Sequence, residues 1–351
     1  MAYTTIDDPT LYFNTVLYTG NGTTGHAITG VGFQPDWLWI KERSSTSAAF
    51  IYDVIRGVNV KITPSTTDPD STVADSMTSF DSDGFTVGNN GATNESGQTV
   101  VAWNWLAGGT ASSNTDGSIT SSVSANTTSG FSIVSYTGTG ANATVGHGLN
   151  QALDMVIVKN RNDADDWIVW HNALAGSEFI RLNLTNAKQT GTTSWNSTVP
   201  TSSVFSLGSR NGTNGSGDSM IAYCFAEKKG YSKFGSYTGN GNADGTFIYT
   251  GFKPSLIITK RTDSTSNWRI GDNKRDGFND NNHTLFPDLS NAEDTSNRWD
   301  MYSNGFKLRT TNTSVNASGG TYIYMAFAEN PFVSSTGIPT TARWLCSYSL
   351  T

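Results

Sequence analysis

The sequence is poor in charge and in long apolar runs. Charged residues make up only 15% of its 351 residues, the net charge is −7, and lysine and arginine form no basic stripe. We therefore expect no nucleic-acid partner. No apolar stretch is long enough to cross a bilayer, so membrane insertion is not expected either. The first residues lack the basic and apolar segments of a signal peptide, which indicates synthesis in the cytoplasm.

Cysteine and recognised catalytic motifs are also scarce. Cys224 and Cys346 are too few and too far apart for a disulfide framework or a zinc site, and Cys224 is expected to be a free thiol inside an apolar strand. No nucleophile elbow, phosphate-binding loop or metalloprotease motif occurs, so we predict no catalytic residue and no cofactor. The four histidines are interpreted as polar loop residues. Two acidic groups could bind calcium, although solvated loop charges are the simpler interpretation: Asp68 and Asp70, and Asp163, Asp165 and Asp166.

The sequence does contain one motif that occurs three times, which we call the repeated phrase or the Tyr-Thr-Gly phrase. Each copy begins with Tyr-Thr-Gly, continues through a glycine-rich loop, and ends in an apolar strand that closes on lysine. The separation between the tyrosine and the lysine is the same in every copy. Such a repeat indicates a chain built from copies of one structural unit. The pairs are Tyr18 and Lys41, Tyr136 and Lys159, and Tyr237 and Lys260.

Short apolar strands between Gly, Asn, Ser and Thr turns predict an all-β fold. In the strand that ends at Lys41, Trp37 and Trp39 would lie on one face and Leu38 and Ile40 on the other, so both faces should be covered. We expect three tandem antiparallel β-sandwich modules of jelly-roll or lectin-like type. The predicted segments are a lead-in 1–10, copy one 11–107, a Ser/Thr/Gly-rich linker or hairpin arm 108–129, copy two 130–230, copy three 231–338 and a tail 339–351.

The repeated tyrosines and lysines are interpreted as structural. A cation that ends a strand in every copy is typical of a charge that keeps a sheet end soluble, or of one partner in a structural ion pair. The candidates for outside contact are two loop tryptophans with polar neighbours, because an indole beside an amide or carboxylate suits a sugar ring. The alternative is that each indole covers the edge of its own core. These candidates are Trp195 with Asn196, and Trp299 with Asp300.

The repeated phrase, with a closing Phe-Ala-Glu at 225–227 and 327–329, resembles a domain family of unassigned function. That family recurs in tandem in virion proteins of tailed phages, particularly phages of marine bacteria and cyanobacteria. The resemblance covers about 11–338, including the segment Glu329–Ile338. Copies one and three depart from it in places, since Trp105-Leu106-Ala107 replaces Phe-Ala-Glu and Ser255 stands where copy two has Asp154. The family has no established catalytic residue to carry over.

The resemblance implies a place on a virus particle. The expected function is that of a non-enzymatic virion structural protein of tail fibre or spike type, which adheres to host surface glycan. Its expected partners are other virion proteins, host polysaccharide and further copies of itself, for example in a trimer. Capsid decoration is the first alternative, because three units could cover a local three-fold position; a carbohydrate-active sandwich enzyme is the second. Contacts are expected where the copies differ, in 107–130, 64–82, 185–202 and 271–300.

Overall fold

The computed structural model of the chain describes residues 3–277, 279–296 and 298–340. Over these residues the structure consists of antiparallel strands, and each helical segment is only three or four residues long. The predicted all-β, sandwich-like fold is therefore confirmed. Most of the predicted tail, including Cys346, lies outside the described residues.

Copy one consists of two antiparallel sheets that pack face to face. Its elements follow a 3-10 turn, Pro9–Leu11, and are β1 (Phe13–Thr19), β2 (His26–Thr29), β3 (Trp37–Glu42), β4 (Phe50–Asp53), β5 (Val60–Lys61), β6 (Ser71–Thr72), β7 (Met77–Asp81), β8 (Gly84–Val87), α1 (Gly91–Asn94) and β9 (Thr99–Trp105). The inner sheet has the order β1-β9-β3-β4, and the outer sheet has the order β2-β8-β7. Strands β5 and β6 form a separate ladder.

Copy two repeats this inner sheet and extends it on both sides. Its elements are β10 (Ser112–Asn114), β11 (Ser121–Asn126), β12 (Phe131–Thr137), β13 (Ala143–Gly146), β14 (Met155–Asn160), β15 (Ile168–His171), β16 (Glu178–Arg181), β17 (Gln189–Thr190), α2 (Thr192–Trp195), β18 (Val204–Leu207), α3 (Asn211–Asn214) and β19 (Ser219–Phe225). The order β12-β19-β14-β15 lies inside an eight-stranded sheet, and β13 pairs with β18. Strands β10 and β11 form a hairpin arm that joins the sheet of copy two.

Copy three has the same arrangement as copy one. Its elements are β20 (Ser232–Thr238), β21 (Phe247–Tyr249), β22 (Phe252–Arg261), β23 (Arg269–Asp272), α4 (Asn273–Asp276), β24 (Trp299–Tyr302), β25 (Gly305–Leu308), α5 (Thr313–Asn316) and β26 (Thr321–Pro331). The inner order is β20-β26-β22-β23 and the outer order is β21-β25-β24. One strand order thus occurs three times along the chain. Whether the copies are separate domains stays a prediction, because one apolar cluster contains residues of all three copies.

The inner sheet of copy one is apolar on both faces. Leu38 and Ile40 pack towards the outer sheet of their own copy. Trp37 and Trp39 belong instead to a core shared by all three copies. The Trp37 ring centroid lies 4.7 Å from that of Tyr223 in copy two. The predicted alternation in β3 is confirmed, and the second face of the sheet is covered by the neighbouring copies.

Large side chains of the closing strands meet at the centre of the molecule. The Phe327 ring of copy three lies 5.7 Å from Trp105 and 5.2 Å from Phe13 of copy one, centroid to centroid. It lies 6.2 Å from Phe225 of copy two. Aromatic pairs at such separations add to the stability gained from burial. Because one cluster joins the copies, we expect them to unfold together.

The copies contact one another in cyclic order. Copy two packs against copy one, copy three packs against copy two, and copy one packs against copy three. An indole N–H group donates a hydrogen bond across each junction, with N···O distances of 2.9–3.0 Å. These bonds run from Trp167 to Thr63 O, from Trp268 to Arg181 O, and from Trp103 to the Asp272 carboxylate. The three copies therefore form a closed ring around the aromatic centre.

The junctions differ in charge. Arg56 and Asp53 form a fully buried ion pair of 2.6 Å on the copy-one side of one junction, where Tyr223 OH also donates to Asp53 at 2.8 Å. A second fully buried pair, Arg275 with Asp272, has an N···O distance of 2.7 Å. The corresponding positions of copy two carry no ion pair; they hold His171 and Leu174, and His171 lines the same small void as Met325.

The Tyr-Thr-Gly segment of each copy lies beside turns that are fixed by a buried asparagine. In copy two, Tyr136 OH donates to Thr213 O at 2.6 Å. Asn214 Nδ2 donates to Gly208 O at 2.7 Å and to Ala141 O at 2.6 Å. Each of these asparagines is buried, so their polar atoms require such partners. The equivalent pairs are Tyr18 with Asn94 and Tyr237 with Asn316.

Gly138→Ala should lower the free energy of unfolding by about 1–3 kcal/mol, which is typical of overpacking. An added Cβ would lie 2.1 Å from Gly215 O, and the Gly138 N–H is fixed by its bond to Asp218 O at 2.9 Å. Urea denaturation followed by tryptophan fluorescence measures the loss. Gly191→Ala is the matched control, because a Cβ there meets nothing closer than 3.7 Å. Equal stability of the two variants would contradict the account.

Candidate functional site

The two predicted sugar-binding tryptophans lie inside the protein. Trp195 is 2% exposed and Trp299 is 0% exposed, so neither ring face can stack on a sugar. Trp299 belongs to the core of copy three with Phe306. The prediction of glycan contact by these indoles is wrong, because pairing of β24 with β25 turns Trp299 inward. Asn196 is exposed.

Asp300 is also unsuited to outside contact. It is buried, and its Oδ2 accepts hydrogen bonds from Tyr302 OH at 3.2 Å and is paired with Arg309 Nε at 3.0 Å. The carboxylate therefore holds the outer sheet of copy three together.

The three repeated lysines are buried, so the interpretation as solubilising charges at a sheet end is wrong. Each ammonium group donates to two backbone carbonyl groups. Lys159 Nζ bonds Asn160 O at 2.6 Å and Asp163 O at 3.2 Å. Burial lowers the pKa of each lysine to about 8. The bonds of the other two run from Lys41 to Glu42 O and Ser45 O, and from Lys260 to Thr185 O and Ser266 O.

One acidic group, through Asp70, and the divergent loops take part in the junctions. Asp70 pairs with Arg161 of copy two at 2.6 Å, and Glu293 pairs with Arg43 of copy one at 2.8 Å. Thr185 O accepts the Ser266 N–H of copy three at 2.8 Å. Within the described ranges, no group of three or more His, Cys, Asp and Glu side chains could hold a metal ion. The segments 64–82, 185–202 and 271–300 thus connect copies of the ring.

Exposed aromatic rings are gathered on one side of copy three. Phe247 and Tyr249 alternate with buried Ile248 in β21, so both project outward. The Tyr302 ring of β24 lies 6.3 Å from the Phe247 ring, centroid to centroid. Together with Tyr3, which is 55% exposed, these are the phenylalanine, tyrosine and tryptophan residues of the described chain that are more than a third exposed. The equivalent strands β2 and β13 carry none of these ring types.

Two of these rings line a cleft of about 380 Å³, a volume within the usual size range of ligand pockets. The lead-in supplies Tyr3 to it, and β21 supplies Tyr249, which is 60% exposed. The lead-in is held against copy three by a bond of 2.7 Å from the Ser335 N–H to Asp7 Oδ1. The cleft is also lined by Glu227, Lys229, Lys233, Thr250 and Phe332.

Comparison with known proteins identifies one family. A family model described as a domain of unknown function, DUF7483, matches residues 8–331. The chain belongs to this family. The DUF7483 match runs through all three copies. No curated protein and no solved structure matches the chain. Across the described residues, the structure has no helix with the length and apolar character of a membrane span.

Two of the histidines interpreted as polar loop residues are fully buried: His147 lies in the loop after β13, and His171 lies in β15. His147 Nδ1 accepts the Leu149 N–H at 3.3 Å, which leaves Nε2 to donate to Thr201 O. His171 Nε2 reaches Tyr324 O of copy three at 3.1 Å. Burial lowers the pKa of both imidazoles to about 4. Both are therefore neutral at pH 7.

This burial predicts loss of stability in acid. In the unfolded chain the two imidazoles become protonated near pH 6.5, whereas in the folded chain they become protonated only near pH 4. Stability should hold above pH 6.5 and fall as the pH drops to 4, by about 2–3 kcal/mol for each histidine. Urea denaturation at pH 7.0 and pH 4.5 measures the difference. A His171→Gln variant should show roughly half of the decrease; an unchanged decrease would assign the acid sensitivity to other groups.

The exposed aromatic rings and the cleft were not predicted from the sequence. Phe247-Ile248-Tyr249 has the composition of an ordinary apolar strand, and only its pairing with β25 shows that two of its rings face outward. One signal was available: copies one and two have small or polar residues at these outward positions, such as Thr29 and Gly146. The presence of aromatic residues at these positions in copy three alone was the available indication that β21 differs from its equivalents.

Proposed function

We propose that the chain is a non-enzymatic structural protein on the surface of a virus particle, and that its cleft adheres to host surface glycan. The carrying observation is that two strongly exposed tyrosine rings, Tyr3 and Tyr249, line that cleft. Tyrosine rings offer an apolar face to a sugar and a hydroxyl group to its polar rim. The virion location is supported by the resemblance of the repeated phrase to phage virion proteins. Display of many chains would turn weak contacts into strong attachment.

Tyr249→Ala should weaken glycan binding about fivefold or more, since it removes an exposed stacking ring worth about 1 kcal/mol or more. The measurement is binding of the full chain to an array of bacterial surface polysaccharides, followed by titration of the best ligand. Leu184→Ala is the control, because Leu184 is an exposed apolar residue of copy two outside the cleft. Binding that survives Tyr249→Ala, or no binding to any polysaccharide, would refute adhesion through this cleft.

A non-enzymatic role is supported by the composition of the cleft. Hydrolysis of a glycosidic bond usually needs two carboxyl groups across the substrate. Among the described lining residues the cleft has one carboxylate, Glu227, whose Oε1 is paired with Lys233 Nζ at 2.7 Å.

Capsid decoration is the second candidate, and the closed ring of three copies favours it. One chain that presents three similar sheets around a centre matches the geometry of a three-fold position. Electron microscopy of the particle distinguishes the two roles. Density for the chain on the tail supports adhesion, whereas density on a three-fold position of the capsid supports decoration.

A further inference from the structure

The cleft carries more positive than negative charge, in a chain whose net charge is −7. Two lysines and one carboxylate line it: Lys229, Lys233 and Glu227. Glu227 forms an ion pair with Lys233, with 2.7 Å between Oε1 and Nζ. Its Oε2 accepts a hydrogen bond from the Phe234 N–H at 3.3 Å. These two charges therefore offset each other, and Lys229 remains as the uncompensated charge.

Lys229 is exposed on the turn between β19 and β20. No carboxylate of the described residues lies within ion-pair distance of its ammonium group, which instead lies 5.1 Å from the centroid of the Tyr3 ring. The turn itself is fixed, because the Tyr231 and Ser232 N–H groups both donate to Lys228 O at 2.9 Å. A cation is thus held beside an aromatic face at the wall of a cleft.

We propose that the cleft selects saccharides that carry an anionic substituent, with Lys229 as the cation that contacts it. This inference rests on the proposed glycan adhesion. The sugar ring lies against Tyr249 or Tyr3, and its carboxylate or sulfate group meets the ammonium group. Interactions between exposed charges are screened within about 10 Å at 0.1 M salt, so the negative charge elsewhere on the chain has little effect at the cleft.

The same arrangement does not occur at the other copies. The turn that holds Lys229 joins copy two directly to copy three, whereas copies one and two are joined through the β10–β11 arm. Tyr249 likewise has no aromatic counterpart in β2 or β13. Within the described part of the chain this arrangement therefore occurs once, and each chain should bind one saccharide there.

Calorimetric titration of the full chain with three tetrasaccharides tests the inference. They are tetragalacturonate, its methyl-esterified form, which keeps the backbone and loses the charge, and a sulfated galactan tetrasaccharide. We expect at least one charged form to bind about fivefold more tightly than the ester, in keeping with one exposed ionic contact. This preference should disappear in Lys229→Gln and in 0.5 M salt. Lys274→Gln, a change of an exposed lysine outside the cleft, should retain it.

The outcomes separate this inference from the proposed function. Equal binding of the charged and esterified forms, both lost in Tyr249→Ala, overturns selection for anions and leaves glycan adhesion standing. A preference that persists in Lys229→Gln also overturns the assignment. Binding of none of the three saccharides overturns the inference, and the polysaccharide array then decides separately whether the chain binds glycan. The two charged ligands show whether carboxylate or sulfate is preferred.

Discussion

Arg56→Leu should lower the free energy of unfolding by about 3–5 kcal/mol, because it leaves a buried carboxylate without its cation. The Arg56 and Asp53 side chains are both fully buried, and their N···O distance is 2.6 Å. Arg56 also donates to Ile51 O at 2.9 Å, so the change removes more than one partner of the junction. Equilibrium denaturation in urea measures the loss.

The chain supplies its own control for this change. The junction between copies two and three has His171, Leu174 and Met325 where this junction has ionic or hydroxyl groups. A triple variant, Asp53→His with Arg56→Leu and Tyr223→Met, should therefore recover at least half of the lost stability. A small loss in Arg56→Leu, below about 1 kcal/mol, would show that the pair is hydrated like a surface salt bridge.

Phe327→Ala should cost about 3–5 kcal/mol, the usual range for removal of a buried aromatic ring. The Phe327 ring contacts aromatic rings of all three copies, at centroid distances of 5.2 Å to Phe13 and 6.2 Å to Phe225. We expect one cooperative transition at lower temperature, seen by both calorimetry and fluorescence, because this cluster contains residues of all three copies. Phe247→Ala, a change of the same residue type at an exposed position, should cost much less.

A separate melting step in Phe327→Ala would contradict this account. It would mean that each copy is stable by itself and that the central aromatic cluster only joins the folded copies. The domain boundaries predicted from the sequence would then describe independent folding units. A single step would mean that the shared core, rather than the copy, is the unit of stability.

The strand pattern was predictable because it depends on neighbouring residues. Alternation in Trp37 to Ile40 is enough to predict a strand with two apolar faces, and the structure has both faces buried. The sequence does not say what covers each face. One is covered by a sheet of the same copy and the other by residues more than a hundred positions away, such as Tyr223. Only the fold supplies that information.

The candidate site was less predictable because exposure depends on strand pairing. Trp299 lies between Arg298 and Asp300, a composition typical of the surface, yet β24 turns the indole into the core. Lys159 lies near the end of β14, where charge is normally solvated, but it is buried and donates to the carbonyl groups of Asn160 and Asp163. Tyr249 lies in a short apolar strand and projects outward. In each case the local sequence favours the opposite location.

Closure of the ring has a consequence for how such proteins can vary. The junctions are heterologous, since each joins different surfaces of two copies, and such interfaces build open filaments unless rotation closes them. Here closure comes after three copies, where Trp103 of copy one meets Asp272 of copy three. An open solenoid can gain or lose repeats at its ends. This architecture cannot accept a fourth repeat without separating that pair, so relatives should differ in the length of their outer turns and keep a constant repeat number.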